Sequence, residues 1–122
     1  MRILVADDED NIRQLIRIVL TRAGHAVLEA ADGVEALSQA TAEAPDLILL
    51  DVRMPNMDGV EALARLKADP ATAEIPVMMV SAYAQQREGL DYIASGASAY
   101  VTKPFNPKDL LTRIENLFAG RL

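Results

Sequence analysis

The chain has 122 residues, enough for one domain with a single core. Its 51% hydrophobic and 25% charged residues exclude a disordered tail, and a formal charge of −6 argues against DNA or an anionic membrane surface as a direct partner. The absence of cysteine removes disulfides and thiolate metal sites, and a single histidine, His25, excludes any site that needs two.

The first apolar run, Ile3–Ala6, meets Asp7 and Asp8 too early to form a signal-peptide core, and no run approaches the ~18 residues of a membrane span. A cytoplasmic location is therefore expected. Ile12, Leu15, Ile16, Val19 and Leu20 then fall at helical spacing, predicting a one-sided helix that ends at Gly24. A second run, Ala26–Glu29, leads to a weaker helical segment around Val34–Ala40. After the run Leu47–Leu50 comes a helix through Val60, Leu63 and Leu66, stopped by Asp69-Pro70. Val77–Val80 precedes a weak helical segment, Gln85–Ala94, with Gly89 inside it. Ala99–Val101 is the last run, and Leu110, Leu111, Ile114, Leu117 and Phe118 form a closing helix behind Pro107.

Runs this continuously apolar suit strands covered on both faces. Five βα repeats with short connections predict an α/β fold, a doubly wound parallel sheet with helices on both sides. Ligands bind such sheets beyond the carboxyl ends of the strands. Those ends carry Asp7-Asp8, Asp51, Ser81 and Thr102-Lys103-Pro104.

Three carboxylates on one rim repel: two of them about 4 Å apart cost on the order of 4 kcal/mol at an effective dielectric near 20. Lys103 supplies one countercharge, and a hard divalent cation, Mg²⁺ or Mn²⁺, suits an all-oxygen donor set better than zinc. A metal, an ammonium and a hydroxyl together are equipment for a phosphoryl group. Asp51, at the end of the central strand, is placed to act as a carboxylate nucleophile. Taken singly, each residue also has an ordinary reading: Asp7 and Asp8 as helix caps, Asp51 as a turn residue, Lys103 as a surface lysine, Ser81 as a strand-end hydroxyl. Their convergence from four strand ends favours the site. His25 reads as a turn residue at the far end of the sheet, and Met54, Met57, Met78 and Met79 read as packing.

These residues carry a resemblance. Asp51-Val52-Arg53-Met54-Pro55-Asn56-Met57-Asp58-Gly59, with Asp7-Asp8, Ser81-Ala82, Tyr100 and Lys103-Pro104-Phe105 in order, resembles the CheY-like receiver domain of two-component response regulators over essentially the full length. The resemblance implies a flavodoxin/CheY-like sheet of strand order 2-1-3-4-5 with five helices. It implies that Asp51 accepts a phosphoryl group from a sensor histidine kinase or a histidine phosphotransfer protein. Asp8, Asp7, Asp51 and the backbone carbonyl of Arg53 would hold Mg²⁺ (or Mn²⁺). Lys103 and Ser81 would contact the phosphoryl oxygens, Ala82 would leave the approach open, and the Lys103-Pro104 bond would be cis. Tyr100 matches the aromatic switch that reshapes the face of the fourth helix, fifth strand and fifth helix for a downstream protein. Arg53 and Tyr83 occupy variable positions that tune attack by water. The kinase-docking surface is expected along the first helix and the loop around Lys103–Pro107.

On this basis we expect residues 1–122 to be a receiver domain without an output domain. It would be a signalling phosphoacceptor rather than an enzyme, monomeric or dimeric on phosphorylation, with neither nucleic acid nor membrane as direct partner. One alternative is the N-terminal receiver of a longer, for instance transcriptional, regulator. A haloacid-dehalogenase-type phosphohydrolase fits poorly, because Arg53 stands where that family places its second aspartate. A flavodoxin-like mononucleotide carrier fits worse, since Asp7-Asp8-Glu9-Asp10 repels phosphate.

Overall fold

A computed structural model describes residues 1–82 and 92–119. The elements are β1 (Arg2–Ala6), α1 (Asp10–Arg22), β2 (Ala26–Ala30), α2 (Gly33–Glu43), β3 (Leu47–Asp51), α3 (Gly59–Ala68), β4 (Val77–Ser81), α4 (helical residues 92–94), β5 (Ala99–Thr102) and α5 (Pro107–Phe118). Of the expected segment Gln85–Ala94, residues 85–91, Gly89 among them, lie outside the described residues, as does Tyr83.

All strand pairs are parallel and the order is β2-β1-β3-β4-β5, the predicted topology. Every residue of β3 and β4 is buried, which explains why those runs show no inside-outside alternation. Alternate strand residues face opposite layers. Ile3, Val5, Leu47, Leu49, Met78, Val80 and Val101 pack with Ile16, Leu20, Leu110 and Ile114 of α1 and α5. Leu4, Ile48, Leu50, Val77 and Met79 pack with Ala36, Ala40, Ala62, Leu63 and Leu66 of α2 and α3. Met54 is buried and Met57 half-buried against the second layer, so the methionines serve packing, as expected.

Two stripe residues depart from the sequence reading. Leu15 (41% exposed) and Val60 (42%) lie at the edges of their helices. The row Ile12–Ile16–Leu20 carries α1 onto the sheet, and Ala62, Leu63 and Leu66 carry α3.

Helix ends follow from local chemistry. Asp32, Asp58 and Asn106 cap α2, α3 and α5 with side-chain oxygens that accept from Glu35, Glu61 and Lys108 N–H at 2.8 Å each. Helix α1 differs: Glu9 is its N-cap but makes no side-chain cap bond. Asp7 Oδ1 instead accepts from Glu9 N–H at 2.9 Å. Asp7 and Asp8 therefore stand ahead of the helix start rather than at the cap.

Candidate functional site

Backbone pairing at the carboxyl ends of the strands brings the predicted residues together. Asp7 N–H bonds to the carbonyl of Ala30, the last residue of β2 (3.0 Å), Val52 N–H to the Val80 carbonyl (3.0 Å), and Lys103 N–H to the Ser81 carbonyl (2.8 Å). The strand ends are thus stitched laterally one residue past the sheet, and Asp7, Asp51, Ser81 and Lys103 fall on one rim. The Lys103-Pro104 peptide is cis, in line with the resemblance.

Lys103 Nζ lies 2.9 Å from Asp7 Oδ2 and 3.2 Å from Asp51 Oδ2, donating to both. Asp7 (1% exposed), Asp51 (5%) and Ser81 (2%) are buried, whereas Asp8 is exposed. Carboxylate oxygens of Asp7, Asp8 and Asp51 lie within 4.8 Å of one another. One shared ammonium leaves this trio with excess negative charge. Burial, then the neighbouring Asp7 charge, pushes the Asp51 carboxyl up from 3.8 to about 6, against the opposing pull of Lys103 and the Arg53 N–H. Burial works against the charge of Lys103, but its hydrogen bonds and attraction to Asp7 and Asp51 outweigh this and hold its pKa above the usual lysine value.

Above the carboxylates opens a cavity of about 210 Å³ lined by Asp8, Glu9, Asp51, Arg53, Ser81, Ala82 and Lys103 among others. It gives access to Asp51 from outside, and exposed Ala82 does not obstruct it. An all-carboxylate donor set of this spread, with surplus negative charge and room for water, fits a hard divalent cation. Tyr100 is half-buried against the α2–α3 layer, on the strand next to Ser81. His25 is at the opposite end of the sheet, its Nδ1 3.1 Å from the N-terminal amine, far from this chemistry.

Two features were not anticipated from sequence. Arg13 reaches back from α1 to the Asp7 carbonyl, and Asn56, at φ 67°, donates to Asp32 at 2.7 Å across two rim loops. The positive φ of Asn56 has a sequence signal, since asparagine tolerates left-handed backbone in a turn. The Arg13 contact has none, because its partner is a main-chain oxygen.

A family model described as the response regulator receiver domain matches residues 3–115. A Synechocystis protein named DNA-binding dual master transcriptional regulator RpaA is 40% identical over 116 residues, covering 95% of this chain and 48% of the relative. The receiver domain of Francisella response regulator 1452 superposes with a TM-score of 0.91 at 31% identity, covering 99% of this chain and 98% of that one. Vibrio cholerae chemotaxis protein CheY4 superposes at 0.89 with 34% identity, covering 95% and 97%. The chain spans about half the length of the curated relatives it matches.

Proposed function

The chain belongs to the response regulator receiver domain family, and from that premise we propose that Asp51 takes a phosphoryl group from a phosphohistidine. The observation that carries this reading is the buried Asp51 carboxylate, bridged to Asp7 through Lys103 and open to a polar cavity. With its carboxyl raised to about 6, Asp51 is ionised at neutral pH yet more basic, hence more nucleophilic, than an ordinary aspartate. Its oxygen attacks phosphorus, the phosphorus–nitrogen bond breaks, and the electron pair leaves with the imidazole of the donor.

Asp7, Asp8, Asp51 and the Arg53 carbonyl are proposed to hold Mg²⁺, which when bound would neutralise charge on the phosphoryl oxygens. Lys103 turns its ammonium from Asp51 Oδ2 to one of those oxygens, and the Ser81 hydroxyl donates to another. We assign Tyr100 as the residue that couples Ser81 to the β5–α5 face, where a downstream protein binds. Beside the site a groove of about 260 Å³, lined by Ile12, Leu15, Pro104 and Phe105 among others, offers apolar footing for the phosphodonor. No helix among the described residues is long and apolar enough to cross a membrane. The length of the relatives favours a second reading, in which this receiver governs a DNA-binding output in one polypeptide. In that reading too, the acidic receiver makes no direct DNA contact.

Incubation with acetyl phosphate and Mg²⁺, followed by intact-mass measurement and peptide mapping, tests the proposal. A single phosphoryl adduct on Asp51 is expected. Absence of both adduct and phosphate release sinks it.

Lys103→Gln is expected to slow phosphorylation on the order of a hundredfold, the scale of losing one charge-stabilising donor. The same change should tighten divalent-cation binding, because a competing positive charge leaves the carboxylates. A time course of the adduct, paired with a cation titration, reads both effects.

A further inference from the structure

We propose that Arg13 is a positioning residue for the acidic pair, setting the cation affinity of the site without touching the cation. The proposal rests on the metal-binding reading above. Arg13 is only 17% exposed although it lies in the first turns of α1. Its guanidinium has three partners, in the β1–α1 loop, on β2 and in its own helix: Nη1 donates to the Asp7 carbonyl at 2.7 Å, Nε to Glu29 Oε1 at 3.2 Å, and Nη2 to Asp10. The Asp7 carbonyl belongs to the peptide that joins Asp7 to Asp8, so this grip sets the plane of that peptide.

The other restraints on the loop act on Asp7: its N–H is bound to Ala30, and its carboxylate holds Glu9 N–H and Lys103. Among the described residues no hydrogen bond or ion pair steadies the exposed Asp8 carboxylate, which must nevertheless stay within 4.8 Å of its two partners to complete the trio. Fixing the Asp7–Asp8 peptide therefore restrains the one member of the trio that lacks burial. Glu29 in turn holds the guanidinium in place and is shared with Arg17, whose Nη1 lies 3.3 Å from Glu29 Oε2.

The sign of the effect separates positioning from electrostatics. Removing a positive charge beside an acidic site should, by Coulomb attraction alone, tighten cation binding. Loss of positioning weakens it. Arg17→Gln removes the same charge and a contact to the same glutamate, but leaves the Asp7 carbonyl bound.

The experiment measures Mn²⁺ affinity of the intact chain by the loss of the free-ion electron paramagnetic resonance signal. Wild type, Arg13→Gln, Arg13→Lys, Arg17→Gln and Asp8→Asn are compared, with thermal melts in chelator to confirm folding. We expect Arg13→Gln to bind Mn²⁺ about tenfold more weakly, the lower end of what outer-sphere partners contribute. Arg17→Gln should bind as wild type or more tightly. Arg13→Lys keeps the charge but cannot span both Asp7 and Glu29, and should also lose affinity; it decides the matter if the glutamine variant does not fold. Wild-type or tighter binding by the folded Arg13 variants overturns the proposal, as does an equal loss in Arg17→Gln. If wild type binds no Mn²⁺, or Asp8→Asn binds it as well as wild type, the metal-site reading itself fails, which is a separate result.

Discussion

Asp51→Asn is expected to give no phosphoryl adduct with acetyl phosphate at any Mg²⁺ concentration and, in metal-free buffer at neutral pH, to unfold at a higher temperature than the wild type. The first effect follows from chemistry: an amide oxygen is no nucleophile towards phosphorus under these conditions, so loss is complete rather than graded. The second follows from the site's electrostatics. Asp51 titrates at about 6 in the folded chain against an ordinary 3.8, so folding favours its protonated form. A pKa raised by folding gives stability that is fully present below the unfolded value and lost as pH rises through the folded one. At neutral pH the penalty is therefore at its maximum. At about 1.4 kcal/mol per pKa unit it amounts to roughly 3 kcal/mol, net of the Lys103 attraction, and asparagine recovers less, since its amide N–H groups need partners at a buried site.

We expect a gain on the order of 2 kcal/mol near pH 7, shrinking towards zero as pH falls to about 4. Denaturant unfolding of both proteins across that range, in chelator, measures the difference. A gain that fails to shrink with acid would assign the effect to something other than the Asp51 charge. Added Mg²⁺ should stabilise the wild type and leave the asparagine variant less changed, because the cation relieves the same repulsion.

Gly59→Ala is expected to destabilise the chain by roughly 3 kcal/mol or more, although alanine is the better helix former. A Cβ at Gly59 would sit 2.1 Å from the Asp51 carbonyl oxygen, 2.9 Å from its carbon and 3.0 Å from Val52 Cα. All three are backbone atoms at the end of β3, a strand buried along its length, so no side chain can swing aside. The Gly59 N–H also bonds to the Val52 carbonyl at 2.8 Å, pinning α3 against the strand end that carries Asp51. Whatever fraction of Gly59→Ala folds should accept phosphate more slowly, because relief of the clash moves the Asp51 backbone. Gly24→Ala is the comparison: nothing lies within 4 Å of its Cβ, and only its φ of +94° is strained, which should cost about 1 kcal/mol. Urea unfolding of the two variants, together with adduct formation, separates the effects. Equal stabilities for the two would contradict the close approach.

Much of this was legible in the residues. Continuous apolar runs at Leu47–Leu50 and Val77–Val80 required cover on both faces, and the helical stripes between them supplied it. Once a parallel sheet is required, the residues just past each run fall on one rim, which is why Asp7, Asp51, Ser81 and Lys103 could be grouped before their distances were known. What escaped were contacts to main-chain oxygens and the helix edges. Leu15 and Val60 share the spacing of their buried neighbours, and only the crossing of helix over sheet decides which side of a stripe meets solvent.

Sequence alone determined the order of elements, the rim and the kinds of groups on it, because periodicity and residue chemistry are local properties. Tertiary structure alone decided that Lys103 bridges Asp7 and Asp51, that Asp51 is buried deeply enough to hold its proton to about pH 6, and that Arg13 grips the peptide between the paired aspartates. Each of these depends on distances between residues remote along the chain and on the exclusion of water around them, and only the packed sheet fixes either.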